Sequence, residues 1–108
     1  EAADIINKAK TNRRKICSVG TTTTRVLETG VSTDGLVKPY DGWTNKFIFP
    51  PYEFAMVDSL VTNLHMPYSM LLMIAAAFGG YDLIMDTYQV AIKEKYRFGA
   101  YGDAMLII

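Results

Sequence analysis

The longest apolar run of the chain, Met70 to Phe78, is bracketed by Ser69 on one side and Gly79-Gly80 on the other. It is roughly half the ~18–20 residues that a membrane-spanning helix needs. A run this apolar and this short belongs in the interior of a folded domain, with Ser69 as a helix cap and the glycine pair as a helix stop. A second helix is predicted from Tyr81 to Tyr96, because Leu83, Ile84, Tyr88, Ala91, Ile92 and Tyr96 recur at near-helical spacing. These two helices demand an apolar surface to pack on. Short strand-like runs supply it: Ile16 to Val19, Phe47 to Phe49 before Pro50-Pro51, Met56 to Thr62, and Ala104 to Ile108. Two more helices are predicted, one from about Ala2 to Lys10 and one through Arg25 to Glu28 that ends near Gly30. Any of several residues in Thr21-Thr22-Thr23-Thr24 can serve as the N-cap of the second. Residues 30 to 43 form a loop rich in Gly, Pro, Asp and Ser. Strands alternating with helices predict an α/β fold, a layered α/β/α sandwich with a mostly parallel or mixed sheet.

Composition removes some function classes. Eleven Lys and Arg balance eleven Asp and Glu, so the chain is no general polyanion binder. Local basic patches remain open at Lys8, Lys10, Arg13, Arg14 and Lys15, and at Lys93, Lys95 and Arg97. A single cysteine, Cys17, cannot form an internal disulfide and gives no zinc-site spacing, and its apolar setting predicts a reduced, buried thiol. Glu1-Ala2-Ala3-Asp4 is acidic and helix-like, unlike a signal peptide. The chain has no initiator Met and opens within an amphipathic helix, so it is expected to be the C-terminal piece of something longer.

Chemistry concentrates in Val61-Thr62-Asn63-Leu64-His65-Met66-Pro67, where polar groups interrupt an apolar strand and the only histidine sits. A strand that only packed would not gather Thr62, Asn63 and His65 at its end. Such strand-end segments are where rigid scaffolds carry binding groups. His65 titrates near neutral pH and is read as a general base or a substrate-positioning group. Asn63 can hold an amide or carbonyl. Gly20, followed by four threonines and Arg25, makes a strand–loop–helix junction in which Thr21, Thr22, Thr23 and Arg25 are candidate anion or substrate contacts. The lysine and spacing of a P-loop are missing there. Tyr101-Gly102-Asp103 precedes the last strand, and Asp103 either holds a turn or meets substrate. Asp58, inside an apolar strand, needs a partner. Trp43, Phe47, Phe49 and Tyr52 either stack a base or pack, while Met66, Met70 and Met73 are read as core filler.

Five segments taken together resemble the C-terminal portion of the S-adenosylmethionine:tRNA ribosyltransferase-isomerase family of queuosine biosynthesis. They are Val19-Gly20-Thr21-Thr22-Thr23-Thr24-Arg25-Val26-Leu27-Glu28; Gly42-Trp43-Thr44 with Phe47-Ile48 and Pro50; Val57-Asp58 with Leu60; Thr62-Asn63-Leu64-His65-Met66-Pro67 leading to Ser69 and Leu71-Leu72-Met73; and Tyr96-Arg97-Phe98 with Tyr101-Gly102-Asp103-Ala104-Met105-Leu106-Ile107. The resemblance implies that residues 1–108 are the C-terminal α/β portion of the catalytic domain of a larger two-domain enzyme, whose β-barrel domain lies elsewhere. It implies transfer of the ribosyl part of S-adenosylmethionine to 7-aminomethyl-7-deazaguanine in tRNA, with rearrangement to epoxyqueuosine. S-adenosylmethionine is then a consumed substrate, and no cofactor is expected. The partners are that tRNA and S-adenosylmethionine, with no membrane, in a cytoplasmic protein expected to be a monomer. His65 and Asp103 become catalytic candidates, and Thr21, Thr22, Thr23, Arg25, Asn63 and Tyr101 substrate-binding candidates. Met70 and Ala100 stand where the family carries hydroxyls. Two other classes stay open: a non-catalytic nucleic-acid-binding domain, and a structural domain that supports a site built elsewhere.

Overall fold

The computed structural model describes all residues except Tyr40, Asp41, Asn45, Phe47, Phe49, Pro67 and Tyr68. The strand expected over Phe47 to Phe49 therefore lies largely outside the described residues. Among the described residues four helices and three strands follow one another as α1 (Ala2–Thr11), β1 (Cys17–Val19), α2 (Thr21–Gly30), β2 (Ser59–Asn63), α3 (Met70–Gly79), α4 (Tyr81–Lys93) and β3 (Ala104–Ile107). The sheet order is β1-β2-β3, with β1 parallel and β3 antiparallel to β2. The α/β class and the mixed sheet are those the sequence predicts.

Alternation along β2 separates its faces. Leu60 and Thr62 are buried, whereas Ser59, Val61 and Asn63 are half-buried. Leu60 joins Leu64, Leu72, Ala75, Ala76, Ile84, Tyr88, Ala91 and Ile107 in the main core, which α3 and α4 supply. Leu27, Val37, Met56 and Val57 form a second core, and Phe78 touches both. The same alternation overturns one expectation. In β1 only Ser18 points inward, so Cys17 is exposed instead of buried. Met66 and Met70 are likewise exposed, and of the three methionines read as filler only Met73 packs on the core.

Element ends have local causes. Ser69 caps α3, its hydroxyl accepting from the Leu72 N–H at 3.3 Å. α2 is not capped by a threonine: Gly20 holds that place with φ 98°, a conformation that glycine alone adopts readily. α4 stops at Lys93, short of the expected Tyr96. Lys95 takes φ 62°, and the Lys95 and Tyr96 N–H groups turn back to the carbonyls of Ile92 and Ala91. This double return bond is the Schellman closure of a helix. α1 ends the same way at Arg13, φ 59°, with Arg13 and Arg14 bonding back to Lys10 and Ala9.

The strand expected from Met56 begins only at Ser59. The reason is Glu28 on α2, a carboxylate 1% exposed. It accepts from the N–H groups of Ala55 at 2.9 Å, Met56 at 2.8 Å and Val57 at 3.3 Å, and from the Tyr52 hydroxyl at 3.2 Å. Those backbone donors are therefore spent on a side chain, not on a neighbouring strand. Burial, then the adjacent Glu28 charge and its hydrogen bond, push the Tyr52 phenol up to about 12. Next along, Asp58 accepts from the Ile16 N–H at 2.7 Å and pairs with Lys10 at 3.7 Å, which explains a carboxylate beside an apolar strand.

Glu28→Ala strands buried donors at Met56 and Val57, and is expected to lower unfolding free energy by about 3 kcal/mol or more. Urea unfolding followed by circular dichroism measures this, and a loss below about 1 kcal/mol would contradict the account.

Candidate functional site

The parallel pair β1–β2 brings two strand ends together, Val19-Gly20 and Thr62-Asn63. In open α/β sheets the crevice beyond the carboxyl ends of the strands is the usual ligand position. A cavity of about 580 Å³ lies here. Gly20, Thr21, Thr22 and Thr23 wall it on one side, and Thr62, Asn63 and His65 on another. Gly99 and Ala100 close it from the loop before β3.

Each wall is held from behind. The Gly20 N–H donates to the Val61 carbonyl at 2.8 Å, fixing the junction to the sheet. The buried Ser18 and Thr24 hydroxyls lie 2.9 Å apart, and Thr24 donates to the Gly20 carbonyl at 3.0 Å. The first turn of α2 is thereby locked onto β1. No side chain among the described residues caps that helix, and its first turn, with the positive end of its dipole, lies on the cavity wall.

His65 is held at ring and backbone. Its Nε2 lies 2.8 Å from Oγ1 of Thr62, which is 3% exposed. Its backbone N–H donates to the hydroxyl of Tyr88, a buried α4 residue, at 2.9 Å. Burial lowers the pKa of His65 below its usual 6.5, which favours the neutral imidazole. Burial raises the Tyr88 phenol, opposed by the hydrogen bond from the His65 backbone. Leu64, just before, donates to the Asp103 carbonyl at 3.0 Å and accepts from the Gly99 N–H at 2.9 Å.

The loop from Arg97 to Asp103 is itself closed by Asp103, whose carboxylate accepts from the Arg97 N–H at 2.7 Å. The Asp103 N–H returns to the Arg97 carbonyl at 2.9 Å. Gly102 sits so close that a Cβ there would lie 2.5 Å from the Arg97 carbonyl oxygen. Of the two sequence readings of Asp103, the turn-holding one describes its contacts.

The residues singled out in the sequence separate into two groups. Thr21, Thr22, Thr23, Asn63 and His65 converge on one cavity. Arg25, Tyr101 and Asp103 are not on its wall. Arg25 lines a small neighbouring crevice with Lys46 and Met70, and Leu71 is common to both spaces. Tyr101 is 99% exposed. Trp43 is exposed, Tyr52 binds Glu28, and Phe47 and Phe49 fall outside the described residues. Thr62 and Tyr88 gained no separate role from sequence reasoning. The signal for Thr62 is a hydroxyl on the buried face of β2 between Leu60 and Leu64. For Tyr88 it is a phenol at a core position of α4. Among the described residues no group of three or more His, Cys, Asp or Glu side chains can hold a metal ion.

Comparison with known proteins gives a consistent result. The chain is 63% identical over its full length to S-adenosylmethionine:tRNA ribosyltransferase-isomerase of Parabacteroides distasonis, and 61% identical to that of Bacteroides fragilis. It spans 31% of the length of each of these relatives. The crystal structure of S-adenosylmethionine tRNA ribosyltransferase from Thermotoga maritima superposes on 95% of the chain with a TM-score of 0.85 at 48% identity, and 36% of that protein is covered. The model of the family described as queuosine biosynthesis protein matches residues 1–107, and the chain therefore belongs to that family.

Proposed function

We propose that this chain is the C-terminal α/β portion of the catalytic domain of a tRNA ribosyltransferase-isomerase, and that the cavity at the β1–β2 ends is part of its active site. The parent, with its β-barrel domain, would take the ribosyl part of S-adenosylmethionine. It would attach this unit to the aminomethyl group of 7-aminomethyl-7-deazaguanine in tRNA and rearrange it to epoxyqueuosine, with release of adenine and methionine. S-adenosylmethionine is consumed as a substrate, and no cofactor takes part. The protein acts as a cytoplasmic monomer without a membrane. No single helix among the described residues is long and apolar enough to cross one.

The observation that carries this reading is the convergence of Thr21, Thr22, Thr23, Asn63 and His65 on one cavity of about 580 Å³. That volume suits a nucleoside-sized ligand. Hydroxyls and an amide recognise a neutral ribosyl or base without a charge of their own. The uncapped start of α2 favours a carboxylate or phosphate beside it. His65 is the titratable group within this wall and meets the reacting part of the substrate. Asp103 serves through the loop it closes, which carries Gly99 and Ala100 to the cavity. Arg25 and Lys46, just beyond Leu71, meet a substrate anion. The exposed bases Arg13, Arg14, Lys93, Lys95 and Arg97 are candidate contacts for the tRNA backbone, and Tyr101 for an exposed base.

In single-turnover assays of the full-length parent that follow adenine release, His65→Ala is expected to lose about 100-fold or more in rate while remaining folded. Near-normal turnover would move the chemistry out of this domain. The neutral imidazole is the working form: a proton on Nε2 replaces the acceptor that meets Thr62 Oγ1 with a donor and disturbs the hold on the ring, so acid removes activity. Because burial lowers the His65 pKa, the acid limb of kcat/KM is expected to be centred below 6.5. A limb at or above that value, or one that survives in His65→Ala, would contradict the assignment. Arg25→Ala is expected to weaken binding of one substrate about 10-fold, with a reduced salt dependence if that substrate is tRNA. Unchanged affinity for both substrates would exclude Arg25 as a contact.

A further inference from the structure

We infer that the Thr62 hydroxyl holds His65 as the tautomer protonated on Nδ1, so that His65 serves the cavity as a hydrogen-bond donor to an electron-rich oxygen or nitrogen of the substrate. The inference rests on the site reading above and specifies how that site works.

Thr62 is 3% exposed, and its hydroxyl proton is directed to an acceptor of the protein. Two lie within reach, His65 Nε2 at 2.8 Å and the Asn63 carbonyl at 3.4 Å. The ordinary range of a hydroxyl donor is about 2.5–3.0 Å, so the nearer acceptor takes the proton. The Nε2 lone pair is then occupied. A neutral imidazole carries one proton, which must sit on the other nitrogen, Nδ1. Burial favours the neutral ring independently.

A general base presents a free lone pair to the substrate. Here the lone pair lies against Thr62, which leaves Nδ1–H as the remaining polar group of a ring that lines the cavity. The backbone that carries His65 is tethered. Its N–H is tied to Tyr88, and Leu64 is tied to Gly99 and Asp103. Thr62 and Tyr88 are therefore positioning residues. Valine and phenylalanine would satisfy packing at these buried places, and the hydroxyls are what His65 uses. A preorganised donor aimed at developing charge is an efficient catalytic device.

The test is histidine-selective 15N NMR of the full-length parent, with His65→Asn identifying the His65 resonances. Above the titration of His65, the proton is expected on Nδ1 with Nε2 bare, and Thr62→Val is expected to move the equilibrium towards Nε2–H. Kinetics gives a second readout, because an asparagine amide keeps an N–H near the place of Nδ1. His65→Asn should retain turnover within about 10-fold of wild type, whereas His65→Ala should lose about 100-fold or more. A proton on Nε2 in the wild type, or an asparagine variant as slow as the alanine variant, would overturn the donor assignment. Normal turnover by His65→Ala would instead overturn the site reading beneath it, an outcome the tautomer measurement does not produce.

Discussion

The buried carboxylate of Glu28 is the interaction on which the rest of the domain depends. It reaches from α2 to three consecutive backbone N–H groups just ahead of β2 and so sets where the central strand begins. β2 pairs with both other strands, and its start determines the register of each. Cys17 then faces Ser59, Val19 faces Val61, and the two parallel strands end side by side. A carboxylate in an apolar interior is tolerated only when its acceptors are filled. Four donors fill those of Glu28, one of them the Tyr52 phenol.

From that register the cavity follows. The end of β1 turns through Gly20 into α2, and the end of β2 runs into the His65 segment. The polar walls lean on buried hydroxyls: Ser18 and Thr24 behind the threonine turn, Thr62 and Tyr88 beside His65. Polar groups inside a core are expensive unless paired, and these are paired with one another or with site backbone. The core and the site are thus one network. The apolar mass of α3 and α4 presses Tyr88 against the chain that carries the imidazole.

Arg25 and Asp103 show how far a motif can be followed without coordinates. Both sit in segments that resemble the family, and both are polar residues at element ends. Arg25 is close to the cavity in sequence, yet the helical turn carries it past Leu71 into the next crevice. Asp103 is engaged by its own loop, and its effect on the cavity passes through Gly99 and Leu64. Tyr88 is the converse case. It lies 23 residues from His65 in the chain, reads as one more core aromatic, and turns out to hold the His65 backbone.

The sequence by itself determined the α/β class, the four helices, the convergence of polar groups at the end of β2, and the resemblance to a queuosine biosynthesis family. These depend on short-range patterning: apolar spacing, cap residues, glycine breaks and contiguous motifs. Only the tertiary structure decided that β2 starts at Ser59, that Cys17 and Met66 are exposed, and that Gly20, not a threonine, begins α2. It also decided which polar residues share the cavity, and that His65 binds Thr62 through Nε2. The physical reason is the same throughout. A backbone donor or a buried hydroxyl takes whichever acceptor the fold brings to it, and at Glu28, Thr62 and Tyr88 the partner is fixed by three-dimensional packing, not by spacing along the chain.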